Sequence, residues 1–152
     1  MTRTLYPFLL AVVLALSALA AGEGPSGTLP VPPKQKFQLG SWEQDIGYAQ
    51  AVRVGNTLYV SGSVGAGDMP TAIKGAYGEL SRTLAAYHLS FAHVVKENIF
   101  TTELDELKKY KDVRRAFYGT DFPAATWVQV NRLYQPNEVI EVEVIAVFPD
   151  GH

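Results

Sequence analysis

The chain has 152 residues, 47% of them hydrophobic and 18% charged, a balance that suits one globular domain and excludes disordered and fibrous classes. Its formal charge of -2 offers no basic field for nucleic acid. Cysteine is absent, which excludes disulfides, thiol nucleophiles, lipid attachment through cysteine and Cys-based zinc sites.

In chain order, Arg3 supplies a positive start and residues 5–21 are apolar apart from Ser17. Ala18-Leu19-Ala20 fits a small-x-small cleavage site, so residues 1–20 read as a secretory signal peptide cut near Ala20. The apolar run is shorter than the ~20 residues needed to span a bilayer, which argues against an uncleaved anchor. The mature protein is therefore expected outside the cytoplasm, periplasmic or secreted, without stable membrane insertion. Residues 21–36 form a Pro- and Gly-rich linker, with Pro25, Pro30, Pro32 and Pro33 favouring extended backbone. Residues 37–152 are the folded domain.

Within it, residues 48–54 and 57–61 alternate as two strands across a Gly55-Asn56 turn. The stretch Ser61-Gly62-Ser63-Val64-Gly65-Ala66-Gly67 reads as a loop. Asp68-Met69-Pro70 follows where a phosphate cradle would open a helix, so the glycines are assigned to turns and close backbone approach. Thr71 is a candidate cap for an amphipathic helix ending near His88, with Ile73, Ala76, Tyr77, Leu80, Leu84 and Tyr87 at helical spacing. Residues 94–102 form a β-branched strand. A second helix covers 104–118, with Leu107, Tyr110, Val113 and Phe117 inward. Lys108, Lys109, Lys111, Arg114 and Arg115 lie on its solvated face, diluted by Asp105, Glu106 and Asp112.

Residues 124–133 and 139–148 form two further strands joined by a short turn. Alternation puts Ile140, Val142, Val144, Ala146 and Phe148 on a purely apolar face. Glu141 and Glu143 share the other face, and the same sorting assigns Trp127 to it. The order β-β-α-β-α-β-β predicts a two-layer α+β domain, with two helices on one face of the sheet and the other face open for an oligomeric partner.

Few residues point to chemistry by themselves. Glu141 and Glu143 have Cα atoms ~7 Å apart and could divide acid and base roles, although solubilising carboxylates are commoner on a strand face. His88 and His93 have no ligand pattern around them, so no metal site is expected. Ser61 lacks His and Asp partners at a recognisable triad position. Trp127 is either a packing anchor or one wall of a pocket.

The ordered segments nevertheless resemble a family. Residues 48–62, Val94-Val95-Lys96, Phe122-Pro123-Ala124, Arg132-Leu133 and Glu141-Val142-Glu143-Val144-Ile145-Ala146 are similar to successive segments of the RidA/YjgF reactive-intermediate deaminases. The match runs from about Ile46 to Pro149. It implies a chorismate-mutase-like fold with a mixed sheet, a homotrimer with pockets between subunits, and hydrolysis of 2-imino and 2-enamino acids without metal or cofactor. Residue by residue, the family's site tyrosine matches Tyr48, its strand-end serine and glycine match Ser61 and Gly62, and its water-positioning glutamate matches Glu141.

The resemblance also exposes departures. The arginine that holds the substrate carboxylate should follow Pro123-Ala124, where this chain has Ala125. Trp127 stands where a small residue or Cys is usual, Glu79 and Lys111 where Asn is usual, and His88 where a helix-ending Gly is usual. Alanine offers none of the charge-assisted hydrogen bonds of an arginine fork.

The expectation is thus an exported RidA-like homotrimer that binds a small metabolite through Tyr48, Ser61, Gly62, Ala125 and Trp127, without ordinary imine deaminase activity. One alternative is a deaminase or hydrolase of neutral or cationic substrates using water held by Glu141. Another is a non-catalytic chaperone-like or interaction protein.

Overall fold

A computed structural model describes residues 29–149. The signal segment expected at 1–20 and the linker as far as residue 28 lie outside the described residues. Among those described, no helix is long and apolar enough to cross a membrane.

Six strands form one sheet in the order β1-β2-β3-β6-β4-β5. They are β1 (Gln35–Phe37), β2 (Ala51–Val54), β3 (Thr57–Ala66), β4 (Val94–Thr101), β5 (Ala124–Gln129) and β6 (Glu138–Val147). All neighbours are antiparallel except β4 and β5, which run parallel. Helix α1 (Trp42–Ile46) lies between β1 and β2 in sequence, and α2 (Met69–Ala86) between β3 and β4. The pair α3 (Leu104–Lys109) and α4 (Lys111–Tyr118) makes the crossover from β4 to β5.

The alternation in β6 is realised as expected. Ile140, Val142, Val144, Ala146 and Phe148 are buried against Ile73, Tyr77, Leu80 and Leu84 of α2, leaving Glu141, Glu143 and Ile145 on the open face. This is the mixed α+β sheet with helices on one side.

The structure changes several local readings. The expected pairing of the last two strands does not form, because β4 inserts between β5 and β6. Strand β5 is an exposed edge ending at Gln129. The glycine-rich stretch continues β3 to Ala66, with register shifts between Val60 and Ser63 and between Gly65 and Ala66. Glycine is needed there for approach: a Cβ on Gly65 would overlap the backbone of Ala72 in α2. Helix α2 is capped by Asp68, whose carboxylate accepts from Thr71 N at 2.8 Å, with Pro70 in the first turn.

The second helix is broken at Tyr110 (φ -101°, ψ 17°) into α3 and α4. The break re-phases the inward stripe, so that Arg114 and Tyr118 are buried and Tyr110 is exposed. Arg114 therefore leaves the solvated face assigned to it. Its Nε donates to Glu97 Oε1 at 2.8 Å, and Glu97 Oε2 accepts from Tyr77 (3.0 Å) and Tyr118 (2.6 Å). Phe91 and Phe117 pack on Tyr77 around this network. Burial, then the charge of Glu97, pushes both tyrosine hydroxyls well above their ordinary pKa.

Candidate functional site

Strand β2 begins only at Ala51, whereas its neighbour β3 runs on to Ala66. The segment before β2 is tied to β3 by two hydrogen bonds: Ser61 N donates to Gln50 O (2.9 Å), and the Ser61 hydroxyl donates to Ala49 O (2.8 Å). These bonds place Tyr48 beside the bulged part of β3. The hydroxyl proton of Ser61 is thereby committed to a carbonyl, and the residue shapes the wall of a site instead of acting as a base-activated nucleophile.

A cavity of about 650 Å³ opens here, lined by Trp42, Ile46, Tyr48, Ser61, Gly62, Val64, Glu79, Tyr134, Gln135, Glu138 and Glu141. That volume lies within the range of small-molecule sites. Four of the residues picked out in the sequence, Tyr48, Ser61, Gly62 and Glu141, meet in it. Gly62 leaves room for Glu141: a Cβ at that position would overlap the Glu141 side chain where it now lies and displace it. Trp42 packs edge-on against Tyr48 at 5.7 Å between ring centroids. Helix α1 is anchored by buried Glu43, whose Oε1 accepts from Leu39 N at 3.0 Å.

The cavity is acidic. Glu138 Oε2 accepts from Gln135 N at 2.8 Å, and Glu79 faces the exposed guanidinium of Arg82 at 3.7 Å. Glu141 has no hydrogen-bond donor or cation among the described residues. Burial, followed by the charges of Glu138 and Glu143, raises its pKa above the ordinary carboxylate value. Burial also raises the pKa of Tyr48, helped by Glu43, Glu79 and Glu141. Among the described residues, no lysine or arginine lines the cavity.

Glu143 belongs elsewhere. It accepts from Asn98 Nδ2 at 2.8 Å and lines a separate cavity of about 270 Å³ with Tyr59, Lys96, Asn98 and Ile145. The two glutamates of β6 therefore do not face one ligand as an acid-base pair.

Ala125 and Trp127 are not brought to the cavity within one chain. Ala125 is level with Glu97 and Trp127 with Ile99, residues that point into the helix-covered side. Trp127 thus leaves the open face to which alternation assigned it. Its ring packs on the core, with the Arg114 guanidinium 5.3 Å from the ring centroid. The parity of β5 was legible, but its face is decided by pairing with β4, not with β6.

Several cavity residues were missed by sequence reasoning. Trp42 and Ile46 lie on a helix of only five residues, too short to leave a periodic signal. Tyr134 and Gln135 come from the β5–β6 connection and Glu138 from the first position of β6, which the expected short turn concealed. Glu79 was marked only as a departure from a family pattern.

Comparison with known proteins agrees with this fold. A family model described as Endoribonuclease L-PSP matches residues 42–148. A 2-iminobutanoate/2-iminopropanoate deaminase of Dermatophagoides farinae is 32% identical over 125 residues, covering 76% of this chain and 97% of the relative. The protein of the same name from Bos taurus is 30% identical over 109 residues, covering 66% and 79% of the two chains. Among solved structures, a member of the YjgF/YER057c/UK114 family from Mycobacterium tuberculosis superposes with a TM-score of 0.70 at 26% identity, covering 76% of this chain and 99% of that one.

Proposed function

The chain belongs to the RidA/YjgF family, and from that premise we propose that it is an exported, homotrimeric small-molecule-binding protein without ordinary 2-imino acid deaminase activity. Its ligand pocket is built on Tyr48, Ser61, Gly62 and Glu141, and the exposed edge strand of a neighbouring subunit closes it with Ala125, while Trp127 backs that strand from its own core. One observation carries this reading: among the described residues, neither position 125 nor any residue lining the cavity supplies a cation for a substrate carboxylate. Glu141 is left beside Glu138 and Glu143 with no neutralising partner, a setting that repels an anion. Losing a buried bidentate arginine contact costs several kcal/mol of binding, and hence orders of magnitude in rate. The same lining disfavours RNA, whose phosphates require basic contacts.

An amino-acid-oxidase-coupled imine assay tests the proposal. Catalytic amounts of the protein should not accelerate formation of the 2-oxo acid; acceleration would overturn the proposal. Restoring the fork with Ala125→Arg, together with Trp127→Cys to open space, should raise the rate by at least tenfold over the unaltered protein.

A second reading keeps Glu141 catalytic, positioning water for hydrolysis of a neutral or cationic imine. The partnerless carboxylate with a raised pKa favours it. Glu141→Gln would abolish such an activity toward a neutral imine while leaving binding of that neutral ligand comparatively intact.

A further inference from the structure

The walls of the cavity carry more information than the missing arginine. Three carboxylates, Glu79, Glu138 and Glu141, come from α2 and β6, and three aromatic rings, Trp42, Tyr48 and Tyr134, come from α1, the segment before β2 and the β5–β6 connection. Trp42 and Tyr134 are 51% and 66% exposed, so they stand at the rim. Among the described residues, no group of three His, Asp or Glu side chains converges closely enough to hold a metal ion. The acidic groups are spread around a volume suited to an organic molecule. Ring faces attract cations through their quadrupole, and partly desolvated carboxylates bind ammonium groups by charge-assisted hydrogen bonds.

We infer that the ligand of this pocket is a small organic cation, an amine or related nitrogen base without a carboxylate, held by Glu141 and Glu138 and enclosed by Trp42, Tyr48 and Tyr134. This rests on the proposed small-molecule function of the pocket and names its chemical class. Glu141 supplies the principal counter-charge, because it has no other partner among the described residues. Glu138 keeps one oxygen on Gln135 N and offers the other. Glu79 is partly neutralised by Arg82 and contributes less. The rim rings close over the apolar body of the ligand, and their burial adds affinity that a bare carboxylate pair lacks.

Calorimetric titration of the purified protein with benzylammonium, benzyl alcohol and benzoate, at one ionic strength, tests the assignment. Benzylammonium should bind at least about tenfold more tightly than benzyl alcohol, and benzoate should bind least. Glu138→Gln and Tyr134→Leu should each weaken benzylammonium several-fold while leaving benzyl alcohol unchanged for the former and weakened for the latter. Circular dichroism and melting temperature of both variants would verify folding, and both changes lie at partly or largely exposed positions. Binding of benzoate or benzyl alcohol as tightly as benzylammonium, an unchanged affinity in Glu138→Gln, or no binding of any probe would overturn the inference. The imine assay separates the two claims: a silent assay with benzoate preferred sinks only the cation assignment, whereas an active assay with benzylammonium preferred sinks only the loss of deaminase function.

Discussion

Glu141 is the residue on which site and stability meet. Its carboxyl is ionised at neutral pH in the unfolded chain, but in the fold burial and two neighbouring glutamates oppose the charge. A group with a raised folded pKa favours the native state fully below its unfolded pKa. That contribution is lost as pH rises through the folded value. Glu141→Gln removes this titration, so the variant should melt higher than the parent at pH 7, and the difference should shrink to nothing as pH falls below the ordinary carboxylate range. Melting curves at a series of pH values check the sign; a variant less stable than the parent at pH 7 would show that Glu141 is satisfied in a way the chain's geometry does not reveal. Glycine 62 makes the same point from the facing strand. Its lack of a side chain leaves the room that Glu141 occupies, and the sequence shows only a glycine in a glycine-rich run.

At the scale of elements, helix α4 and the end of α2 hold features with measurable consequences. Arg114 and Glu97 form a buried ion pair with side chains 7% and 0% exposed, tied to Tyr77 and Tyr118. Removing one partner leaves the other charge uncompensated, so Arg114→Met should cost about 3–5 kcal/mol in chemical denaturation. Trp127 and Tyr118 also pack on that guanidinium, and a loss well under 1 kcal/mol would mean that the pair is relaxed by water. After α2 ends at Ala86, His88 takes a φ of 59°, a left-handed backbone that disfavours side chains other than glycine. His88→Gly should therefore stabilise by about 1 kcal/mol, read as a higher denaturant midpoint with unchanged slope. That position drew notice in the sequence because a helix-ending glycine was expected there. The break at Tyr110 drew none, since the charged residues around it sustain helical propensity on both sides.

At the scale of the folded domain, the open sheet face and the edge strand have no cover from the other described residues. Tyr59, Val95 and Val128 are exposed large apolar residues, and Ala125 and Trp127 lie away from the cavity that Tyr48 and Glu141 build. Burying such a face between copies is the physical basis for the proposed trimer. Light scattering of the purified protein should give three times the chain mass; a monomer would remove every role proposed for residues 125 and 127 at the pocket.

Periodicity and short-range spacing, which are local properties of the chain, determined the α+β class, the helix of α2 and the apolar face of β6, whereas the grouping of Tyr48, Ser61, Gly62 and Glu141 was implied only by the resemblance of successive segments to a family. The same resemblance marked Ala125 as the position where an arginine was expected. Tertiary structure decided the rest. Insertion of β4 between β5 and β6 placed Trp127 on the helix side, and the broken helix turned Arg114 inward onto Glu97. The connection to β6 delivered Tyr134 and Glu138 to a cavity that α1 completes with Trp42. Each depends on which distant segments pair, and strand pairing is set by the burial of whole faces, which no local pattern encodes.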